Sequence, residues 1–166
     1  MTPSGTLPIT HYRRFESFRE YEALIDAMVP QTETFVRVFD KVLPPAWNDL
    51  QRTELLRQFL RRNPANRLYV ILHDTGNIAR NLPRMAELLR DFSHACKIRQ
   101  TPKMAHHLYD PFVIFDASHY LHRFHYAHMR AAIGTHDVED ARQLLERHAE
   151  LWEASAPASV SATGGL

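Results

Sequence analysis

A mixed α/β sheet with helices on both faces is the fold this sequence predicts, and three observations carry the prediction. In the front half, runs rich in β-formers alternate with amphipathic helical segments, the pattern of parallel strands joined by helical crossovers. In the back half, three β-like runs follow one another with no room for a helix between them, so antiparallel strands are added to the same sheet. The run Leu68-Tyr69-Val70-Ile71-Leu72 is apolar throughout, as a strand covered on both faces should be.

The elements follow in order. Met1 to Thr10 is small, polar and proline-containing, and is expected to be disordered. Ser17 and Glu20 form a capping box, behind which Phe18, Tyr21, Leu24, Ile25 and Met28 share a helical face until Pro30 stops the helix. Phe35 to Asp40 reads as a strand. Asn48 or Asp49 caps a helix with Leu55, Leu56, Phe59 and Leu60 inward, ended by Asn63-Pro64. After the apolar strand, Asp74-Thr75-Gly76-Asn77 is a turn, and Pro83 opens a helix buried through Leu82, Met85, Leu89 and Phe92. Lys97 to Thr101 is a polar strand near an edge. The three later β runs are Phe112–Phe115, Tyr120–Tyr126 and Met129–Ile133. Asp137 caps a last helix with Ala141, Leu144, Leu145, Leu151 and Trp152 inward, and residues 156–166 read as a flexible tail. Residues 11–155 are therefore expected to form one α/β domain, in keeping with a length of 166 residues.

Charge and composition exclude some classes of function. The net charge is +1, from 20 basic and 19 acidic residues, whereas nonspecific nucleic-acid binders usually carry a strong basic excess. Cys96 is the only cysteine, so no intrachain disulfide can form and a reducing, cytoplasmic compartment is expected. Met1 to Thr10 has no basic and apolar regions of a signal peptide. No apolar run is long enough to span a bilayer.

Arg37 alternates with Phe35 and Phe39 and so shares a face of an inner strand with them. A buried guanidinium requires a carboxylate or another anion. Asp40, Asp74, Arg99 and Asp116 fall at or near strand ends, and open α/β sheets bind ligands beyond the carboxyl ends of their strands. Together with His122 and Arg123, these residues make up the candidate binding pocket. Asp74-Thr75-Gly76 follows an apolar strand as an aspartic-protease motif would, but the helix expected behind it favours a plain turn. The chain has eleven histidines, and His119, His122, His125 and His128 recur every three residues. Alternation along a strand spreads these over two faces, so no metal site is expected, and no cofactor.

The order of elements, the segment Pro111-Phe112-Val113-Ile114-Phe115-Asp116 and the stretch Ala141 to Trp152 resemble one half of a phospholipase D-like domain. More closely, the span from Phe15 to Leu166 resembles an uncharacterised bacterial family that looks like a degenerate relative of that fold. Its hallmarks here are Lys97-Ile98-Arg99-Gln100-Thr101, Pro111-Phe112, Tyr120-Leu121-His122-Arg123 and Leu151-Trp152-Glu153. The enzymes carry a His-x-Lys-(x)4-Asp motif. With Asp116 as its Asp, Tyr109 takes the place of the nucleophilic His and Pro111 that of the Lys. The resemblance thus implies the fold without the activity: a noncatalytic half-domain that binds a protein partner or a small anion. It also implies a homodimer, since such halves usually pair. Two other functions remain open in the sequence. One is a phosphodiester hydrolase or nuclease with a rearranged site at His119, His122 and Arg123. The other is a nucleic-acid module using Tyr120, Phe124 and Tyr126 interleaved with Arg123.

Overall fold

A computed structural model describes residues 9–158 and 160. The expected disorder of residues 1–10 and tail of residues 156–166 lie largely outside the described residues. The elements are β1 (His11–Phe15), α1 (Phe18–Met28), β2 (Phe35–Asp40), α2 (Leu50–Arg62), β3 (Arg67–Leu72), α3 (Ile78–Asn81), α4 (Pro83–Asp91), β4 (Cys96–Gln100), β5 (Phe112–Phe115), β6 (His119–His125), β7 (His128–Thr135), α5 (Val138–Ala154) and β8 (Ala156–Pro157). The strands form one sheet in the order β1-β7-β6-β5-β2-β3-β4-β8. β2, β3 and β4 are parallel, and every other pairing is antiparallel. This is the mixed sheet that the alternation of elements predicts. Among the described residues, no helix is long and apolar enough to cross a membrane.

The helix starts follow local chemistry. Ser17, Asp49 and Asp137 each accept a hydrogen bond from the backbone N–H three residues on, at 3.3, 3.1 and 3.2 Å, which satisfies a donor the helix leaves unpaired. Strand alternation sorts side chains between two cores. Val36, Val38, Leu68, Val70 and Leu121 face α1, α2 and α4. Phe39, Ile71, Phe112, Ile114 and Tyr120 face α5, through Ala141, Leu144 and Trp152.

Three elements differ from the expected order. β1 pairs with β7 on the edge of the sheet, where no strand was expected. α3 is a single turn ahead of α4. Ala156 and Pro157 pair with β4, where a tail was expected; an edge position suits Pro157, which has no N–H to donate.

Because β5 runs back against β2, the carboxyl ends of β2, β3 and β4 share one end of the sheet with the start of β5 and the finish of β6. Asp40, His73, Thr101, Asp110, His122 and Arg123 all gather there.

Candidate functional site

On the α5 face of this end, Asp110 lies between the side chains of Arg147 and His122. Arg147 of α5 donates from both terminal nitrogens to its two carboxylate oxygens, each at 2.8 Å. His122 of β6 sits 2.8 Å from the same carboxylate through Nε2. Burial alone would raise the pKa of Asp110, but the hydrogen bonds and charges of Arg147 and His122 outweigh it and hold the carboxyl well below its ordinary range. A cavity of about 390 Å³ opens beside the triad, lined also by His107, Tyr109 and Phe124. Tyr109 is half exposed and stacks on His125, with ring centroids 5.1 Å apart.

Under the opposite face of the same end, Asp40 and Arg123 are both buried and 3.8 Å apart. That is beyond hydrogen-bond range. Arg123 donates instead to the Tyr126 carbonyl at 2.8 Å, and its guanidinium lies over the Phe18 ring. It thereby ties the β6–β7 turn to α1. The carboxylate of Asp40 accepts the Lys41 N–H at 2.7 Å. Burial dominates the attraction of Arg123 and raises the pKa of Asp40 to about 7.

The seven residues that the sequence groups in one pocket do not share one cavity. Asp40 and Arg123 pair on one face, and His122 lies at the same end on the other. Arg37 and Arg99 stand mid-strand on the α5 face. Arg99 donates to the Trp152 carbonyl at 2.6 Å and lies over the indole, 4.4 Å from its centroid. Among the described residues, Arg37 has no carboxylate partner. Its guanidinium lies over the rings of Phe35 and Tyr69, at 4.9 and 5.6 Å, and burial lowers its pKa. The expected buried ion pair is thus replaced by two aromatic faces on a half-buried side chain, whose Nε is buried with no hydrogen-bond partner among the described residues. Asp74 is exposed and accepts the Gly76 N–H at 2.8 Å, the turn anticipated for this segment.

Asp116 lies at the far end of β2. It has φ 56°, in the left-handed region that Asp tolerates. Its carboxylate accepts the N–H groups of Glu33, Thr34 and Phe35 and the Thr34 hydroxyl. Burial opposes ionisation here too, but the Thr34 hydroxyl and these backbone donors prevail and lower its pKa. Asp116 therefore clamps the start of β2 to the turn after β5.

The histidines are dispersed. His73 uses both ring nitrogens, on the Thr101 hydroxyl at 2.7 Å and the Leu108 carbonyl at 2.8 Å, and so pins the loop that carries Asp110. His119 accepts the His136 N–H at the other end of the sheet. His148 is fully buried under α5, and burial pushes its pKa down to about 3. Among the described residues, no group of three or more His, Cys, Asp or Glu side chains is placed to hold a metal ion. Asp110 and Arg147 escape a reading of the sequence because one lies in a loop and the other on a helix. Only the neighbouring His148, on the apolar face of that helix, hints that Arg147 points toward the sheet.

The mixed sheet, with α5 on one face and α1, α2 and α4 on the other, is a phospholipase D-like fold. A phospholipase D family member, Nuc from Salmonella typhimurium, superposes with TM-score 0.67 and 12% identity over 90% of this chain and 99% of its own. TrmBL2, described as an archaeal chromatin protein with a novel mode of DNA binding, gives TM-score 0.65 and 14% identity over 89% of this chain and 54% of its own. Phosphatidylserine synthase from Haemophilus influenzae Rd KW20 gives 0.62 and 14%, over 88% and 38%. Identities this low show the fold alone. Residues 18–160 match the family described as Domain of unknown function (DUF7931), and the chain belongs to that family. None of the curated proteins matches it.

Proposed function

We propose that the chain is a noncatalytic phospholipase D-like domain that binds a small anion in the cavity beside Asp110, His122 and Arg147. The observation that carries this reading is the occupancy of the motif positions. With Asp116 taken as the motif's Asp, Tyr109 and Pro111 fall where phospholipase D-like enzymes place their nucleophile and its lysine, which would leave neither an activated nucleophile nor a charge clamp there. The groups that remain suit recognition. Arg147, His122 and His107 line the cavity together with a single carboxylate, Asp110.

A hydrolase centred on His122 is the competing reading, favoured by the 2.8 Å contact that lets Asp110 orient the imidazole. His119 cannot assist it from the opposite end of the sheet. Tyr120 and Arg123 are buried, which removes them from any nucleic-acid surface.

The test is calorimetry with inorganic phosphate at pH 6, together with a turnover assay on an aryl phosphodiester. Saturable binding that weakens about tenfold in Arg147→Ala, with no turnover, is the expected result. Turnover that survives repurification and disappears in His122→Ala would overturn the noncatalytic reading.

A further inference from the structure

We infer that β8 is the first part of a longer strand, and that residues 159–163 carry it on along β4 into the groove beside α4. The chain's own segment then seals this edge of the sheet.

The register of β8 sets the path. Gln100 pairs with Ala156 and Arg99 with Pro157. The next pairs of an antiparallel ladder are Ile98 with Ala158, Lys97 with Ser159 and Cys96 with Val160. The first of them is formed, since the Ala158 N–H donates to the Ile98 carbonyl at 3.1 Å. Hydrogen-bonded and non-hydrogen-bonded pairs alternate. Arg99 and Pro157 are therefore a non-hydrogen-bonded pair, where the missing proline N–H costs nothing. Cys96, two residues from Ile98, turns its backbone toward the same edge. Its N–H is taken by the Phe92 carbonyl at 2.7 Å, which leaves its carbonyl to accept from Val160.

Packing follows the same register. Cys96 and Ile98 belong to the core beneath α4, and Ala158 and Val160 pack against that core. Residues directly opposite each other share a face, so both pairs sit as a continued ladder requires. A groove of about 380 Å³ follows the edge, with Ala86, Leu89 and Ser93 on one side and Pro157, Ala158 and Val160 on the other.

The sequence supplies the occupant. Ala158, Val160 and Ala162 alternate with Ser159, Ser161 and Thr163, the period of a strand with one buried face. Continued past Cys96, the ladder brings Ala162 to the turn between α4 and β4, where Ser93 lines the groove. Gly164 and Gly165 then end the pattern. An open edge at β4 would invite stray strands, and a segment in cis removes that hazard.

Cross-linking in the full chain tests the register. In a Cys96→Ala background, Lys97→Cys and Ser159→Cys should face each other with Cα atoms about 4.5 Å apart, within reach of a disulfide. Mild oxidation should close an intrachain bond, read by intact mass and by loss of free thiol. The control Lys97→Cys/Ser161→Cys is out of register and should stay reduced. A second comparison keeps Cys96, which is buried. Val160→Asp should lower the melting temperature and speed alkylation of Cys96 by about tenfold, through local opening of the edge. Ser161→Asp, on the other face, should change neither. No bond at position 159, an equally ready bond at 161, or bonds only between chains (another copy's segment in the groove) would overturn the inference. So would equal effects of Val160→Asp and Ser161→Asp.

Discussion

Asp40 and Asp110 lie at the same end of the sheet, one on each face, and each has an arginine beside it. Their chemistry is opposite. Asp40 receives one backbone N–H and a guanidinium at 3.8 Å, and its pKa rises to about 7. Asp110 receives two guanidinium hydrogen bonds and an imidazole, all at 2.8 Å, and its pKa falls. Burial opposes ionisation at both, so the number and length of charge-assisted hydrogen bonds decide the sign. An arginine beside a carboxylate is thus not one kind of interaction. At Asp110 it stabilises the charge, and at Asp40 it only reduces a desolvation cost.

The largest effect should come from breaking the buried pair. Arg123→Ala leaves Asp40 without its cation and the Tyr126 carbonyl without its donor. The expected loss is about 3 kcal/mol in urea denaturation at pH 8. At pH 5.5 Asp40 is protonated and needs no counter-charge, so the loss should shrink to roughly half. Equal losses at both pH values would show that the two residues are uncoupled.

A smaller effect separates Asp40 from the histidines through pH. The folded-state pKa of Asp40 is raised, so its contribution is present at low pH and is lost as pH rises from about 4 toward 7. The pKa of His148 is lowered to about 3, so its contribution is full above pH 6.5 and is lost as pH falls below that value. His73 and His119 are lowered by burial as well and carry the same sign. Between pH 7 and pH 5 the two kinds of group oppose each other. The histidines, being more numerous, should lower the melting temperature as the protein is acidified. Asp40→Asn should steepen that decline by about 2 kcal/mol over the interval. An unchanged slope would mean that Asp40 titrates as an ordinary carboxylate.

The smallest effect sharpens the other half of the comparison. The Arg147 side chain is more than a third exposed, so solvent screening limits the cost of Arg147→Ala to about 1 kcal/mol. Carboxyl NMR should show the Asp110 pKa rising toward the normal range. A depressed carboxylate contributes stability above about pH 4 and loses it as pH falls. The variant should therefore lose less stability than the wild type between pH 4 and pH 2. An unmoved Asp110 titration would show that His122 alone depresses it.

Most of the fold was legible in the sequence because most elements keep a clean period. β3 is apolar from Leu68 to Leu72, and α1, α2 and α5 carry their caps. β1 was not legible, because an edge strand needs no buried face: of His11-Tyr12-Arg13-Arg14-Phe15 only Phe15 is buried. Arg37 misled in another way. Alternation assigned its face correctly, but alternation says nothing about the end of a long side chain, and two rings serve where a carboxylate was expected. The Asp110–Arg147 contact joins residues 37 positions apart through the packing of α5 on β5. No local pattern encodes such a contact.

The pairing of β1 with β7 also sets a timetable. His11 meets Thr135, so β1 leaves the ribosome well ahead of the strand it pairs with. At about 5–20 residues per second, that wait lasts on the order of ten seconds. Throughout it, β1 is an unpaired strand in a crowded cell. Its histidine and two arginines are poor company for stray strands and guard it against premature partners. The polarity that conceals β1 from pattern reading is what allows it to arrive late and still find its place.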